Sequence, residues 1–294
     1  MLLFADISLG EGGDLRCSRC RPQRPEQLRE LADVAADVAE AARSHGTRHG
    51  LDLSFGGAEP FHHPSLSEMV ASAAHAGADR IRLESDCEAL ASSETARAIL
   101  AVGVRHLRFP LLGSTAALHD GLADRDGAFA STLRGVKTFI ETAADEAIPV
   151  HVTARVPVCR HNLHDVPSTV ISATEAGASV VYLIIEDTDL DLRAAAPWLE
   201  AACDSGVANS AWVDVEGMPV GLASGWELHL ASLYRSVAGA KSSRCATCAL
   251  NDVCGGAVRG ATNAVVSSFR PPADAHHLAE RIACSFEPPE CEHA

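Results

Sequence analysis

Five cysteines stand in two groups whose spacing is suited to metal binding or thiol redox chemistry. Cys17 and Cys20 form a Cys-x2-Cys pair, and Cys245, Cys248 and Cys254 form a Cys-x2-Cys-x5-Cys group. In a reducing compartment, cysteines grouped in this way indicate metal or cluster ligands first and redox thiols second. The other five cysteines are scattered. Each group is therefore a candidate ligand set.

The segments that must position these cysteines alternate between strand-like and helix-like patterns. Strands are predicted over residues 2–9, 51–55, 81–83, 105–112, 150–158 and 180–185. Helices are predicted over 25–45, 66–77, 93–102, 132–144 and 166–176. Repeated βα units imply parallel strands joined by right-handed crossovers. The pattern favours an α/β fold, a partial (β/α)6 barrel of the TIM type, whose chemistry lies at the C-terminal ends of the strands.

The alternation changes after about residue 192. Residues 212–222 predict a strand or hairpin, and the three-cysteine group follows. We therefore place a boundary near residue 205, with a barrel over 1–205 and a cysteine-containing region over 206–294.

Charge and hydropathy exclude two classes of partner. The chain has 24 basic and 39 acidic residues, a net charge of −15, and no basic stripe of the kind that nucleic acids require. No apolar run approaches the roughly 20 residues that span a bilayer. The first residues lack the basic region of a signal peptide. We expect a cytoplasmic protein with neither nucleic acid nor a membrane as partner.

The segment around Cys17 and Cys20 resembles the cluster loop of the radical S-adenosylmethionine (radical SAM) superfamily. Members carry Cys-x3-Cys-x2-Cys after the first barrel strand, and the three thiolates hold a [4Fe–4S] cluster with one iron open for S-adenosylmethionine (SAM). Cys17 and Cys20 match the second and third positions, whereas Gly13 stands at the first. Glycine has no ligand atom, so this loop supplies two of the three thiolates.

Short matches in barrel order extend the resemblance over roughly residues 2–190. The stretch 55–60 resembles the GGEP motif that holds the SAM amino group, although a glycine pair also suits a plain turn. Arg155 is placed to reach the SAM carboxylate or to form a surface ion pair. The resemblance implies a SAM site built from Gly56, Gly57, Ala58, Glu59, Ser85, Asp86, Arg155 and Asn162.

Cys87 is our candidate for the missing cluster ligand. It follows the third predicted strand, so the barrel fold places it at the same end as Cys17 and Cys20. Cys159, after the fifth predicted strand, is the less favoured candidate because it lies farther around the barrel. The alternative to both is that Cys87 is a small residue at a turn.

The second cysteine group resembles the SPASM/twitch extension of the same superfamily, which holds auxiliary clusters. Cys245, Cys248 and Cys254 are retained, but Gly221 stands where relatives often have a further cysteine. A structural zinc ion is the competing interpretation, because three thiolates and one further ligand complete a tetrahedron. The candidates for that ligand are Cys284, Cys291, His276 and His277.

Two functions follow from the resemblance. The first is an iron–sulfur enzyme that cleaves SAM reductively to modify a ribosomal peptide or small-molecule substrate. The second is a degenerate relative that binds SAM, a peptide or a partner without radical chemistry, as the glycines at positions 13 and 221 favour.

Overall fold

The computed structural model describes residues 4–12, 25–45, 50–233, 239–262, 265–266 and 272–286. Its strands are Ala5–Ser8 (β1), Gly10–Glu11 (β2), Gln27–Leu28 (β3), Leu51–Gly56 (β4), Ala78–Glu84 (β5), His106–Pro110 (β6), His151–Val158 (β7), Val180–Ile185 (β8) and Trp212–Glu216 (β9). The helices are Leu31–His45 (α1), Leu66–His75 (α2), Ser93–Ala101 (α3), Ala116–Ala123 (α4), Ala128–Asp145 (α5), Val166–Glu175 (α6), Leu192–Ala208 (α7) and Ala275–Phe286 (α8).

Seven strands form one parallel sheet in the order β1-β4-β5-β6-β7-β8-β9. Each strand therefore lies beside the next one along the chain, apart from the small antiparallel hairpin of β2 and β3. This is the half-barrel of a partial TIM-type fold, and the predicted α/β class is confirmed. Among the described residues, no helix is long and apolar enough to cross a bilayer.

The two faces of the sheet differ because side chains alternate along a strand. On β7, Val152, Ala154 and Val156 are buried with the helices, whereas Thr153 and Arg155 lie on the opposite, concave face. The same alternation gives β4, β5, β6 and β9 an apolar face toward the helices and a largely polar concave face, whereas β8 presents Val180 and Ile184 beside Tyr182.

Helix α7 and strand β9 continue the barrel across the boundary predicted near residue 205. Residue 205 lies inside α7, and β9 pairs with β8 from Val180↔Trp212 to Ile184↔Glu216. Gly206 brings α7 close to β9, because a Cβ at Gly206 would lie 2.3 Å from Val213 Cγ2. The sheet therefore extends to Glu216, beyond the proposed boundary. Helix α1 begins at Leu31 instead of residue 25, because Gln27–Leu28 pairs with Gly10–Glu11.

Candidate functional site

The glycine turn after β4 lies against the end of β1. Gly57 has φ +89°, and a Cβ there would lie 2.7 Å from both Gly10 O and Ser8 Oγ. Only glycine combines this backbone conformation with such a close approach. The turn is therefore held beside the hairpin that flanks residues 13–24, the segment of Gly13, Cys17 and Cys20, which lies outside the described residues.

Glu26 ties the other flank of that segment to the same turn. Its carboxylate accepts a hydrogen bond from the Glu59 amide at 2.9 Å and lies 2.7 Å from His62 Nδ1. The hydrogen bond to Glu26 raises the pKa of His62. Both flanks of the cysteine segment thus contact the loop after β4.

Glu59 is a buried brace between loops. Its carboxylate accepts hydrogen bonds from Ser85 Oγ at 2.8 Å, the Asp86 amide at 2.9 Å and the Phe61 amide at 3.2 Å. Burial, and next the Asp86 carboxylate, raise the pKa of Glu59 to about 7. The side chain joins the loops after β4 and β5, and Ala58 beside it is also fully buried.

Ser85 and Asp86 complete this brace. Ser85 Oγ accepts a hydrogen bond from the Cys87 amide at 2.9 Å, and Asp86 Oδ1 accepts one from the Glu88 amide at 2.9 Å. Asp86 Oδ2 also lies 3.2 Å from a guanidinium nitrogen of Arg125. Both side chains are therefore engaged with the protein itself.

Cys87 lies in a fully buried turn beneath helix α5, and its role as the third cluster ligand stays a prediction. Its side chain is fully buried, and its Sγ donates to Ser85 O at 3.3 Å. A Cβ at Gly135 of α5 would lie 1.8 Å from Cys87 O, so the helix packs directly onto this turn. Burial raises the pKa of the Cys87 thiol well above its ordinary value in the metal-free protein.

Asn162 joins the ends of β6 and β7. Its Nδ2 donates to Leu112 O at 3.0 Å and Pro157 O at 2.7 Å, and its Oδ1 accepts from the Cys159 amide at 2.9 Å. Both amide hydrogens and the carbonyl are thus used within the buried protein. In this structure Asn162 positions strand ends.

The concave face carries a network of ion pairs in front of these loops. Glu84 lies 3.6 Å from Arg108 and 3.4 Å from Arg155, and Arg155 lies 2.6 Å from Glu186. Glu84 Oε2 also lies 3.4 Å from where a Cβ on Gly56 would be. The network therefore begins at the glycine turn and crosses to the end of β8.

Sequence reasoning identified only Arg155 of this network. Glu84, Arg108 and Glu186 were missed, although charged residues alternate with apolar ones along β5 and β6. That alternation was the available signal, because it predicts a strand with one polar face.

The C-terminal cysteines lie near the segment that follows β9. Cys254 Sγ accepts a hydrogen bond from the Val220 amide at 3.4 Å, and Cys245 Sγ lies 3.5 Å from Ser242 Oγ. Cys248 is half-buried, as are the other two. In the described part of the chain, no three His, Cys, Asp or Glu side chains converge as a metal site.

Of the proposed fourth ligands of that cysteine group, the structure describes the side chains of two histidines. His276 and His277 are exposed on α8. Cys291 and the side chain of Cys284 lie outside the described residues. A metal shared by Cys245, Cys248 and Cys254 stays a prediction.

Comparison with known proteins identifies the fold. No family model matches the chain, and no curated protein sequence matches it. Streptococcus suis SuiB bound to the precursor peptide SuiA is similar with 11% identity and TM-score 0.56, covering 72% of this chain and 48% of SuiB. The structure of anSMEcpe with bound AdoMet (SAM) and the Kp18Cys peptide is similar with 12% identity and TM-score 0.53, covering 71% and 63%. Methylornithine synthase (PylB) is similar with 10% identity and TM-score 0.50, covering 72% and 64%.

SuiB has also been solved bound to S-adenosylmethionine, and that structure matches with 14% identity and TM-score 0.51. The chain spans about half the length of SuiB. These likenesses agree with the barrel that the radical SAM resemblance implies. The chain therefore shares its partial-barrel fold with proteins whose structures hold SAM and peptides.

Proposed function

We propose that this protein binds SAM on the concave face, at the C-terminal ends of β4 to β8. One observation carries the proposal: Glu84 lies beside Gly56 and within ion-pair distance of both Arg108 and Arg155. The amino-acid end of SAM presents an ammonium and a carboxylate a few bonds apart. An acid next to two guanidinium groups offers a partner for each.

In this proposal, each group has a definite task. Glu84 accepts from the SAM ammonium, and the Gly56 turn allows the ligand to approach the backbone. Arg108 or Arg155 turns from Glu84 to the SAM carboxylate. Glu59 and Asn162 position the loops, and they do so through hydrogen bonds to the protein.

The residues do not fit a complete radical SAM cluster. Gly13 supplies no ligand atom, and the Cys87 side chain is fully buried beneath α5. With two thiolates, Cys17 and Cys20, the donor set is one short of three. The proposal is therefore a degenerate radical-SAM-like barrel that binds its ligand without radical chemistry, and a peptide is its proposed partner in the cytoplasm. The peptides bound to SuiB and anSMEcpe support that choice of partner.

Calorimetric titration with SAM and with S-adenosylhomocysteine tests this proposal. We expect Glu84→Gln to weaken both ligands at least about tenfold, equivalent to about 1.4 kcal/mol, because it removes the ammonium partner and keeps the shape. Glu94→Gln, an exposed site on α3, is the matched control and should bind as the wild type does. Absence of heat and of displacement at millimolar SAM in the wild-type protein would remove the proposal.

The second candidate, an iron–sulfur enzyme, is favoured by the five grouped cysteines of the sequence. Anaerobic reconstitution followed by iron and sulfide analysis separates it from the first. About four irons and four sulfides per chain that depend on Cys17 and Cys20, together with reductive cleavage of SAM, would establish the enzyme. Absence of cluster with retained SAM binding would establish the binding protein.

A further inference from the structure

Charge is distributed unevenly over the concave face. The charged side chains that β4, β5 and β6 present to this face are two acids and three arginines: Asp52, Glu84, Arg80, Arg82 and Arg108. On β7, on β9 and directly after β8 they are one arginine and three acids: Arg155, Glu186, Asp214 and Glu216. The face is therefore negative on its β8–β9 side.

Glu186 is a buried acid with one carboxylate oxygen that lacks a hydrogen-bond partner within the part of the chain that the structure describes. The residue is 6% exposed, and its Oε1 lies 2.6 Å from a guanidinium nitrogen of Arg155. Its other oxygen, Oε2, is buried and has no hydrogen-bond partner among the described residues. A buried carboxylate is costly unless its charge and lone pairs are matched, so a half-satisfied one indicates a missing partner.

The loop that carries Glu186 is held rigidly. Arg160 donates two hydrogen bonds to the Asp187 carboxylate, both at 2.7 Å, and the Glu186 amide donates to Val158 O at 3.1 Å. The hydrogen bond to Arg160 lowers the pKa of Asp187 to about 2. The backbone at Glu186 is thus held in place at the end of β8.

Tyr182 and Glu216 extend the acidic side. Arg155, Tyr182 and Asp214 lie in register on β7, β8 and β9, so their side chains are neighbours on one face. The Tyr182 hydroxyl donates to Glu216 Oε2, and the Arg108 guanidinium lies 5.6 Å from the Tyr182 ring centroid. Carboxylates and aromatic rings both recognise organic cations, and the Tyr182 ring already lies near the Arg108 guanidinium.

We propose that Glu186, Tyr182 and Glu216 form a subsite for one organic cation, the ammonium or guanidinium of a lysine or arginine side chain in a bound peptide. A metal ion is the weaker fit, because the described residues contain no convergent set of three metal-ligating side chains. The subsite adjoins the proposed SAM site, because Arg155 pairs with both Glu84 and Glu186, but it takes a different ligand and its test is made without SAM.

The test uses the whole protein and two neutral-backbone probes, N-acetyl-lysine methylamide and N-acetyl-norleucine methylamide, titrated without SAM. We expect the lysine probe to bind at least about tenfold more tightly than the norleucine probe. Glu186→Gln should abolish that preference, because glutamine keeps the shape and removes the charge. Glu216→Gln provides a second variant at the same subsite, should Glu186→Gln fail to fold.

Glu200→Gln, an exposed acid on α7, is the control. Equal affinity for the two probes in the wild-type protein overturns the subsite. A loss of the preference for the lysine probe in Glu200→Gln as large as that in Glu186→Gln also overturns it, because it would indicate general attraction to an acidic protein. The SAM titration is separate. A protein that binds the lysine probe and not SAM refutes the proposed function and keeps this subsite.

Discussion

The carboxylate of Glu59 accepts a hydrogen bond from the backbone amide of Asp86, with Oε2 and N 2.9 Å apart. This contact links the loop after β4 to the loop after β5, and Ser85 Oγ adds a second link at 2.8 Å. The acid is inside the protein, where desolvation and the Asp86 carboxylate raise its pKa to about 7. The contribution of Glu59 to the stability of the protein therefore depends on pH.

Glu59 should make the folded protein less stable as pH rises from about 4.5 to 7. Its pKa is raised from 4.5 to about 7, so the folded state holds a proton that the unfolded state has released in that window. The contribution is fully present below pH 4.5 and is lost as pH rises through the folded pKa. Urea unfolding at pH 5, 6, 7 and 8 should show this fall in free energy of unfolding. Glu59→Gln should flatten it, and an unchanged slope in the variant would contradict the assignment.

Gly57→Ala should destabilise the protein by more than Gly77→Ala does. The two glycines have nearly the same φ, +89° and +87°, but a Cβ at Gly57 meets Gly10 O and Ser8 Oγ at 2.7 Å whereas one at Gly77 meets nothing within 4 Å. We expect about 1 kcal/mol for Gly77→Ala from backbone strain alone and about 2–4 kcal/mol for Gly57→Ala. Chemical denaturation of both variants measures the difference, and equal losses would show that the close approach to β1 does not form.

Asn162→Ala should lower the free energy of unfolding by more than it lowers the free energy of SAM binding. The substitution leaves the buried Leu112 and Pro157 carbonyls and the Cys159 amide without their partner, at a cost of about 2–4 kcal/mol. Asn209→Ala removes one exposed hydrogen bond, to Ser205 O, and should cost less than about 1 kcal/mol. Thermal unfolding of the two variants compares their losses of stability. Unchanged stability of Asn162→Ala together with lost SAM binding would instead make Asn162 a ligand contact.

Cys87 should resist alkylation in the folded protein. Its thiol is fully buried and its pKa is raised well above the ordinary value, whereas Cys245 and Cys248 are half-buried. Brief iodoacetamide treatment followed by peptide mass spectrometry should therefore label Cys245 and Cys248 first, and Cys87 only as the protein unfolds. Labelling of Cys87 as fast as that of Cys245 would mean an accessible thiolate and would support Cys87 as the third cluster ligand.

The sequence alone determined the order of strands and helices across the barrel. Strands β4 to β8 and helices α1, α2, α3, α5 and α6 follow from period-2 and period-3.6 patterns, which depend on neighbouring residues only, whereas α4 and α7 were not predicted. The short matches at the ends of these strands also predicted the ligand site at the C-terminal edge of the sheet.

Only the tertiary structure decided what depends on partners far apart in the chain. Strand β9 joins the barrel through its pairing with β8, and Gln27–Leu28 leaves the predicted helix because it pairs with Gly10–Glu11. The resemblance predicted that Glu59 binds SAM, but its carboxylate accepts hydrogen bonds from Ser85 and Asp86. Glu84, on the next strand, lies beside Gly56. Local pattern tells which face of a strand is polar. Which charges meet across that face depends on strand order and register, and these are set by hydrogen bonds between segments distant in the sequence.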